Sequence, residues 1–155
     1  MKVIFGNDHR GLSLKEHLMI KVMEMDLDDD DTQTFNVGTH YADRSCDYPD
    51  FSYYLSDGLK RGPFDFGVLV CGSGFGVNIA ANRHEGIRAV TVRTKKEAVA
   101  ARLHNDANVL CLGADFTSPE KATSIMEAFL TSPFDGGERH QRRIDLIETW
   151  ARNGR

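Results

Sequence analysis

Apolar residues gather in five short runs separated by longer stretches of mixed polarity. Val3-Ile4-Phe5-Gly6, Thr34-Phe35-Asn36-Val37-Gly38, Gly67-Val68-Leu69-Val70-Cys71, Gly86-Ile87-Arg88-Ala89-Val90-Thr91-Val92 and Asn108-Val109-Leu110-Cys111-Leu112-Gly113 read as strands. The third is uninterrupted, as in a strand buried on both faces of a parallel sheet. Helices are expected from about Ser13 to Glu24, from Pro49 to about Lys60, in the small-residue stretch after the third strand, from Thr94 through Leu103, from Pro119 to about Leu130, and from about Glu138 to Arg152. Pro49 and Pro119 suit first helical turns, Gly62-Pro63 is a stop, and Thr94 and Ser118 stand as N-caps. In the last helix Ile144, Ile147 and Ala151 form an apolar stripe.

Strands alternating with helices predict a single domain over residues 1–155: a Rossmann-like, three-layer αβα sandwich with a five-stranded, mainly parallel sheet and a C-terminal helix. In such sheets ligands bind outside the carboxyl ends of the strands.

At the end of the third strand the chain reads Cys71-Gly72-Ser73-Gly74-Phe75-Gly76. A strand, a Gly-rich turn and a helix N-terminus bring several backbone N–H groups to one concave place that favours an anion. Two nucleotide readings fail on spacing. Val77-Asn78 stands where a P-loop needs Lys-Ser or Lys-Thr, and the strictly alternating glycines do not fit the dinucleotide fingerprint. The plainer alternative is a tight turn whose glycines serve close packing.

Other polar groups fall where strands or helices end, and each has two readings. Asp8 and His9 follow the first strand as ligand contacts, or as a helix-capping aspartate and a solvated histidine. His104 and Asn105 close the fourth predicted helix as site residues, or as C-terminal cap residues. Arg139 and Arg143 are four apart, so they share one helical face that grips a phosphate or is simply a solvated basic surface. The acidic run Met25 to Thr32 reads as a solvated loop without chemistry.

A net charge of −4 leaves no basic footprint for nucleic acid, and no apolar run reaches membrane-spanning length. The 155 residues suffice for a full core without disulfides or metal. Cys46, Cys71 and Cys111 are odd in number and scattered, which suits reduced thiols. With no signal-like segment at Met1-Lys2-Val3-Ile4, a cytoplasmic protein is expected. No Cys-x-x-Cys or His-x-x-x-His spacing suggests zinc.

Gly6-Asn7-Asp8-His9-Arg10-Gly11, Asp47-Tyr48-Pro49, the Cys71 to Gly76 loop with Ile79-Ala80-Ala81-Asn82, His104-Asn105-Asp106 and Arg139-His140-Gln141-Arg142-Arg143 occur in one order along the whole chain. Together they resemble ribose-5-phosphate isomerase type B, in the family that also holds galactose-6-phosphate and allose-6-phosphate isomerases. The resemblance implies aldose–ketose isomerisation of a sugar phosphate through an enediolate, without metal or cofactor. It implies Cys71 as base, since Val77 stands where some members carry a glutamate. The N–H groups of Gly72, Ser73, Gly74, Phe75 and Gly76, with the Ser73 hydroxyl, would form the oxyanion hole. His104 would be the acid in ring opening, Asp8, His9 and Asn105 would hold sugar hydroxyls, and Arg139 and Arg143 would clamp the phosphate. A homodimer or homotetramer with sites between subunits is implied.

One departure stands out. Relatives commonly carry Gly-x-Arg after the fifth strand as a phosphate ligand, whereas this chain reads Gly113-Ala114-Asp115. A carboxylate repels a phosphate. Either Arg10 or Arg142 compensates, or affinity or substrate choice has drifted. The remaining alternatives are the same chemistry on galactose 6-, allose 6- or a tetrose 4-phosphate, and a non-catalytic sugar-phosphate-binding module. A Cys-His hydrolase is disfavoured, because it needs a base oriented by a third residue.

Overall fold

The computed structural model describes residues 1–25 and 32–153. Most of the acidic run therefore lies outside the described residues. The strands are β1 (Lys2–Asn7), β2 (Gln33–Asn36), β3 (Phe66–Cys71), β4 (Ala89–Thr91) and β5 (Val109–Gly113). They form one sheet in the order β2-β1-β3-β5-β4, with every pairing parallel. The helices are α1 (Leu12–Glu24), α2 (Tyr48–Arg61), α3 (Phe75–Ala81), α4 (Lys95–Asn105), α5 (Pro119–Thr131) and α6 (Glu138–Asn153).

The period-2 alternation of the strands sorts the core into two layers. Val3, Phe5, Val68, Val70, Leu110 and Leu112 face α1, α4 and α5, whereas Ile4, Leu69, Cys71, Val109 and Cys111 face α2 and α3. From β1 the chain runs through α1 on the first face to β2 at one edge. From β3 it runs through α3 on the second face to β4 at the other edge. The connections thus part company between β1 and β3, and their diverging C-terminal ends leave a crevice there.

The expected caps are in place. Thr94 Oγ1 accepts the Glu97 N–H at 3.2 Å while Glu97 Oε2 accepts the Thr94 and Arg93 N–H groups, a capping box that starts α4. The Arg93 N–H, first among these donors, holds the Glu97 carboxyl below its ordinary range. Ser118 accepts the Lys121 N–H to start α5 at Pro119.

Three sequence expectations are corrected. The fourth strand shrinks to three residues, because β4 pairs with β5 alone at an open edge of the sheet. Helix α3 begins at Phe75, inside the glycine loop, because Gly74 at φ 79° turns the chain early. Of the apolar stripe on α6, Ile144 is buried but Ile147 is 52% exposed, together with Leu146 and Trp150. The helix is held instead through Glu148, whose carboxylate accepts from Gly86 N–H and Arg88.

Candidate active site

The β1–β3 crevice collects eight of the twelve expected site residues. Asn7 pairs with Val70, so the loop after β1 and the loop after β3 leave the sheet side by side. Cys71 ends β3 with its side chain on the α2–α3 face, 4% exposed, and its Sγ accepts the Gly74 N–H at 3.1 Å. Ser73 Oγ accepts the Phe75 N–H at 3.2 Å. Two of the expected oxyanion donors are therefore engaged inside the loop. The Gly72, Ser73 and Gly76 N–H groups have no hydrogen-bond partner among the described residues and stay free to meet an incoming oxygen.

Gly74 needs its glycine twice. Its φ of 79° suits no L side chain, and a Cβ there would stand 2.9 Å from the Leu112 carbonyl carbon. Opposite, a Cβ on Gly113 would stand 2.5 Å from the Ser73 carbonyl oxygen, so the loops after β3 and β5 touch backbone to backbone. Gly76 lies under the ring of Tyr48, which tops α2. Phe75 is half exposed, with the Arg93 guanidinium 5.3 Å from its ring centroid.

Asp8 and His9 stand at the other wall. The Asp8 carboxylate is buried, and its Oδ1 accepts the Arg10 and Gly11 N–H groups at 2.9 and 3.0 Å, so one oxygen is spent shaping the turn into α1. His9 Nδ1 accepts the Cys46 N–H at 3.3 Å. That bond assigns the proton to Nε2, leaving an N–H donor on the free side of the ring. The contacts of Cys46 and Arg10 are not readable from short stretches of sequence, because the partners lie 37 and 105 residues away in the chain.

His104, Asn105, Arg139 and Arg143 are elsewhere. Gly67 pairs with Val109 at the start of β3 and β5, and Cys71 pairs with Gly113 at their end. Helix α4 ends at Asn105, just before β5 begins at Val109, so His104 and Asn105 lie at the starting edge of the sheet. Four residue steps along β3, from Gly67 to Cys71, separate that edge from the thiol, roughly 13 Å at the usual rise per residue. His104 is exposed there, its ring stacked on His140 with centroids 4.7 Å apart and planes 11° from parallel. His140 is buried and accepts from Arg139 Nε at 3.2 Å, which puts the start of α6 at the same edge. Arg143 is exposed one turn further on.

The turn that carries His104 is braced. Asp106 adopts φ 44°, a conformation disfavoured for a side chain other than glycine. Its carboxylate binds Arg88 at 2.8 Å and Arg102 at 2.7 Å, and Arg102 is itself buried and bonded to the Ala107 and Ser132 carbonyls. His104, Asp135 and His140 bring ligand-type atoms within 4.8 Å of one another. Parallel imidazoles aim their lone pairs in parallel planes rather than at one point, so the arrangement fits an aromatic stack better than a tetrahedral metal site.

Residues 3–147 match the Ribose/Galactose Isomerase family. The chain belongs to that family. Among relatives of this isomerase family, the probable ribose-5-phosphate isomerase B of Mycoplasma genitalium is 40% identical over 146 residues, covering 94% of this chain and 92% of the relative. Ribose-5-phosphate isomerase B of Escherichia coli (strain K12) is 37% identical, with 94% and 93% covered. The crystal structure of the Mycoplasma genitalium enzyme with bound ribulose-5-phosphate superposes with a TM-score of 0.88 at 37% identity, covering 97% of this chain and 96% of that one. The type B ribose 5-phosphate isomerase of Trypanosoma cruzi reaches 0.92 at 38% identity, with 99% and 98% covered.

Proposed function

We propose that this chain interconverts D-ribose 5-phosphate and D-ribulose 5-phosphate through an enediolate. What carries the reading is the thiol of Cys71 beside free loop amides at the β1–β3 crevice, in a chain matched from residue 3 to 147 by a sugar isomerase family. Isomerisation moves one proton from C2 to C1 and a second from the oxygen on C2 to the oxygen on C1, and the carbonyl shifts from C1 to C2. Cys71 Sγ takes the C2 proton as base and returns it to C1, and the Gly74 N–H bond steadies the sulfur while it carries charge. The Gly72 and Ser73 N–H groups, the latter beside its own hydroxyl, meet the enediolate oxygen; each such donor is worth about 3 kcal/mol of barrier. His9 offers its Nε2–H to a sugar hydroxyl, and Asp8 acts through the oxygen not spent on the turn.

The remaining groups come from a second copy. His104 as acid in ring opening, Asn105 on a hydroxyl, and Arg139 and Arg143 on the phosphate would lie too far from Cys71 in one protomer, as the sheet-edge geometry requires. A homodimer, alone or paired into a tetramer, brings the two edges together. The unpaired cysteines fit a reducing compartment, so we place the enzyme in the cytoplasm, as a single domain over residues 1–155 acting in the pentose phosphate pathway. No helix among the described residues is long and apolar enough to cross a membrane.

The test is a proton NMR time course of ribose 5-phosphate in deuterium oxide, with wild type and Cys71→Ala side by side. Ribulose 5-phosphate should form with wild type and be abolished in the variant. A folded wild type that leaves the sugar unchanged refutes the reading, and conversion of galactose 6-phosphate in its place would move the substrate assignment within the family.

A further inference from the structure

Arg10 lies across the mouth of the β3–α3 turn. It leaves the loop after β1, and its Nη2 donates to Asp115 Oδ2 at 2.5 Å, Asp115 standing in the turn after β5. The two side chains meet above Gly72, where a Cβ would stand 2.8 Å from Arg10 Nε and 2.9 Å from Asp115 Oδ2. The pair thus roofs the residue that follows Cys71 and carries one of the free amides. Arg10 is 57% exposed, and this single bond leaves most of the five donors of its fork unengaged.

A bare carboxylate at position 115 would repel an arriving dianion, and a bare Arg10 on its three-methylene stem would sample many rotamers. Joined, they form an ion pair without net charge in which the carboxylate is engaged and the guanidinium is held in one orientation, its remaining donors open to solvent. A planar fork suits a phosphate, which it grips with two parallel hydrogen bonds. The hydrogen bond to Asp115, with smaller help from Asp8 and Cys71, raises the Arg10 pKa and keeps the guanidinium charged. The cations at α6 stand at the opposite edge of the sheet, whereas Arg93 lies over the Phe75 ring and Arg10 sets its positive charge over Gly72 in the same protomer as Cys71.

We propose that Arg10 is the phosphate ligand contributed by the same subunit as Cys71, and that Asp115 is its positioning residue. This rests on the sugar-phosphate reading above. It also gives Gly72 a reason beyond its amide, since any side chain there would push the pair apart.

Inorganic phosphate binding by calorimetry, and kcat and KM for ribose 5-phosphate, are to be measured on wild type, Arg10→Ala, Asp115→Ala and the double variant. Arg10→Ala should weaken phosphate binding and raise KM together by about tenfold, with kcat within about twofold, as for a contact made equally in ground and transition states. The double variant should bind phosphate more tightly than Arg10→Ala alone, because no bare carboxylate remains. A pair that merely ties two loops together would give equal losses in all three variants. A fall in kcat at unchanged phosphate affinity would make Arg10 a contact of the enediolate. Either result, or a wild type that binds no phosphate, overturns the proposal. Calorimetry needs no turnover, so a wild type that binds phosphate through Arg10 yet leaves ribose 5-phosphate unconverted refutes the isomerase reading alone.

Discussion

The Gly74 N–H donates to Cys71 Sγ at 3.1 Å, so the sulfur is held by the backbone of the turn it stands in. That donor is aimed correctly only while Gly74 keeps its φ of 79°. The pose of the thiol is therefore set by a residue with no chemistry of its own.

Gly74→Ala should lose on both counts. A left-handed L residue costs about 1–2 kcal/mol, and the new Cβ would also press on the Leu112 backbone. A fall in Tm of about 5 °C by calorimetry is expected for a chain of this size. Turnover should drop by about tenfold or more as the amide swings off the sulfur. A variant with wild-type kcat would detach the Gly74 bond from function.

Cys71 and His104 occupy opposite ends of β3 and β5, which makes a mixing experiment decisive. Cys71→Ala and His104→Ala should each be inactive alone. After co-refolding, half of randomly formed dimers pair one of each, and each such dimer rebuilds one site, so about a quarter of wild-type activity should return. No recovery in confirmed mixed dimers would place both groups in one subunit's site.

Much of the fold was legible in the sequence because its signals are local. Runs such as Val68-Leu69-Val70, the Thr94 and Ser118 caps and the proline at 119 each act within a few residues. The site was legible only as a set of residue types. Its allocation between two sheet edges follows from strand register, which no short window of sequence carries. The Arg10–Asp115 contact spans 105 positions, and the stacking of His104 on His140 joins the ends of two helices. The row of loop amides is thinned for a different reason: a thiol and a hydroxyl within the same loop take two of them.

Lys15 is 1% exposed on α1, and burial pushes its ammonium pKa down. The folded value then lies below the unfolded one. The cost to stability is full below the folded pKa, and it fades as pH rises from there to the unfolded value. Lys15→Met should accordingly raise Tm at neutral pH, by roughly 3 °C per kcal/mol recovered, with the advantage shrinking toward alkaline pH. Thermal melts at several pH values check this, and an equal or lower Tm at pH 7 would show that the amine is compensated.

Burial likewise pushes the Cys111 thiol up, with the nearby Cys71 adding to it, so Cys111 should remain a protonated thiol in the native protein. Iodoacetamide at mildly alkaline pH should label the partly exposed Cys46 well before Cys111, and Cys111 should react only on unfolding. Mass spectrometry of peptides from native and denatured protein reads the order directly. Early labelling of Cys111 would mean that β5 opens far more often than its packing implies.

Where Gly113 meets Ser73 and Gly74 meets Leu112, the floor beneath the thiol is written in main-chain atoms, which mutation of a side chain leaves in place. Divergence in what the crevice accepts must therefore come from its rim, from positions such as Arg10, Tyr48 and Asp115. A common floor with an editable rim would let a few substitutions change which sugar the crevice accepts, with the main chain beneath the thiol left as it is.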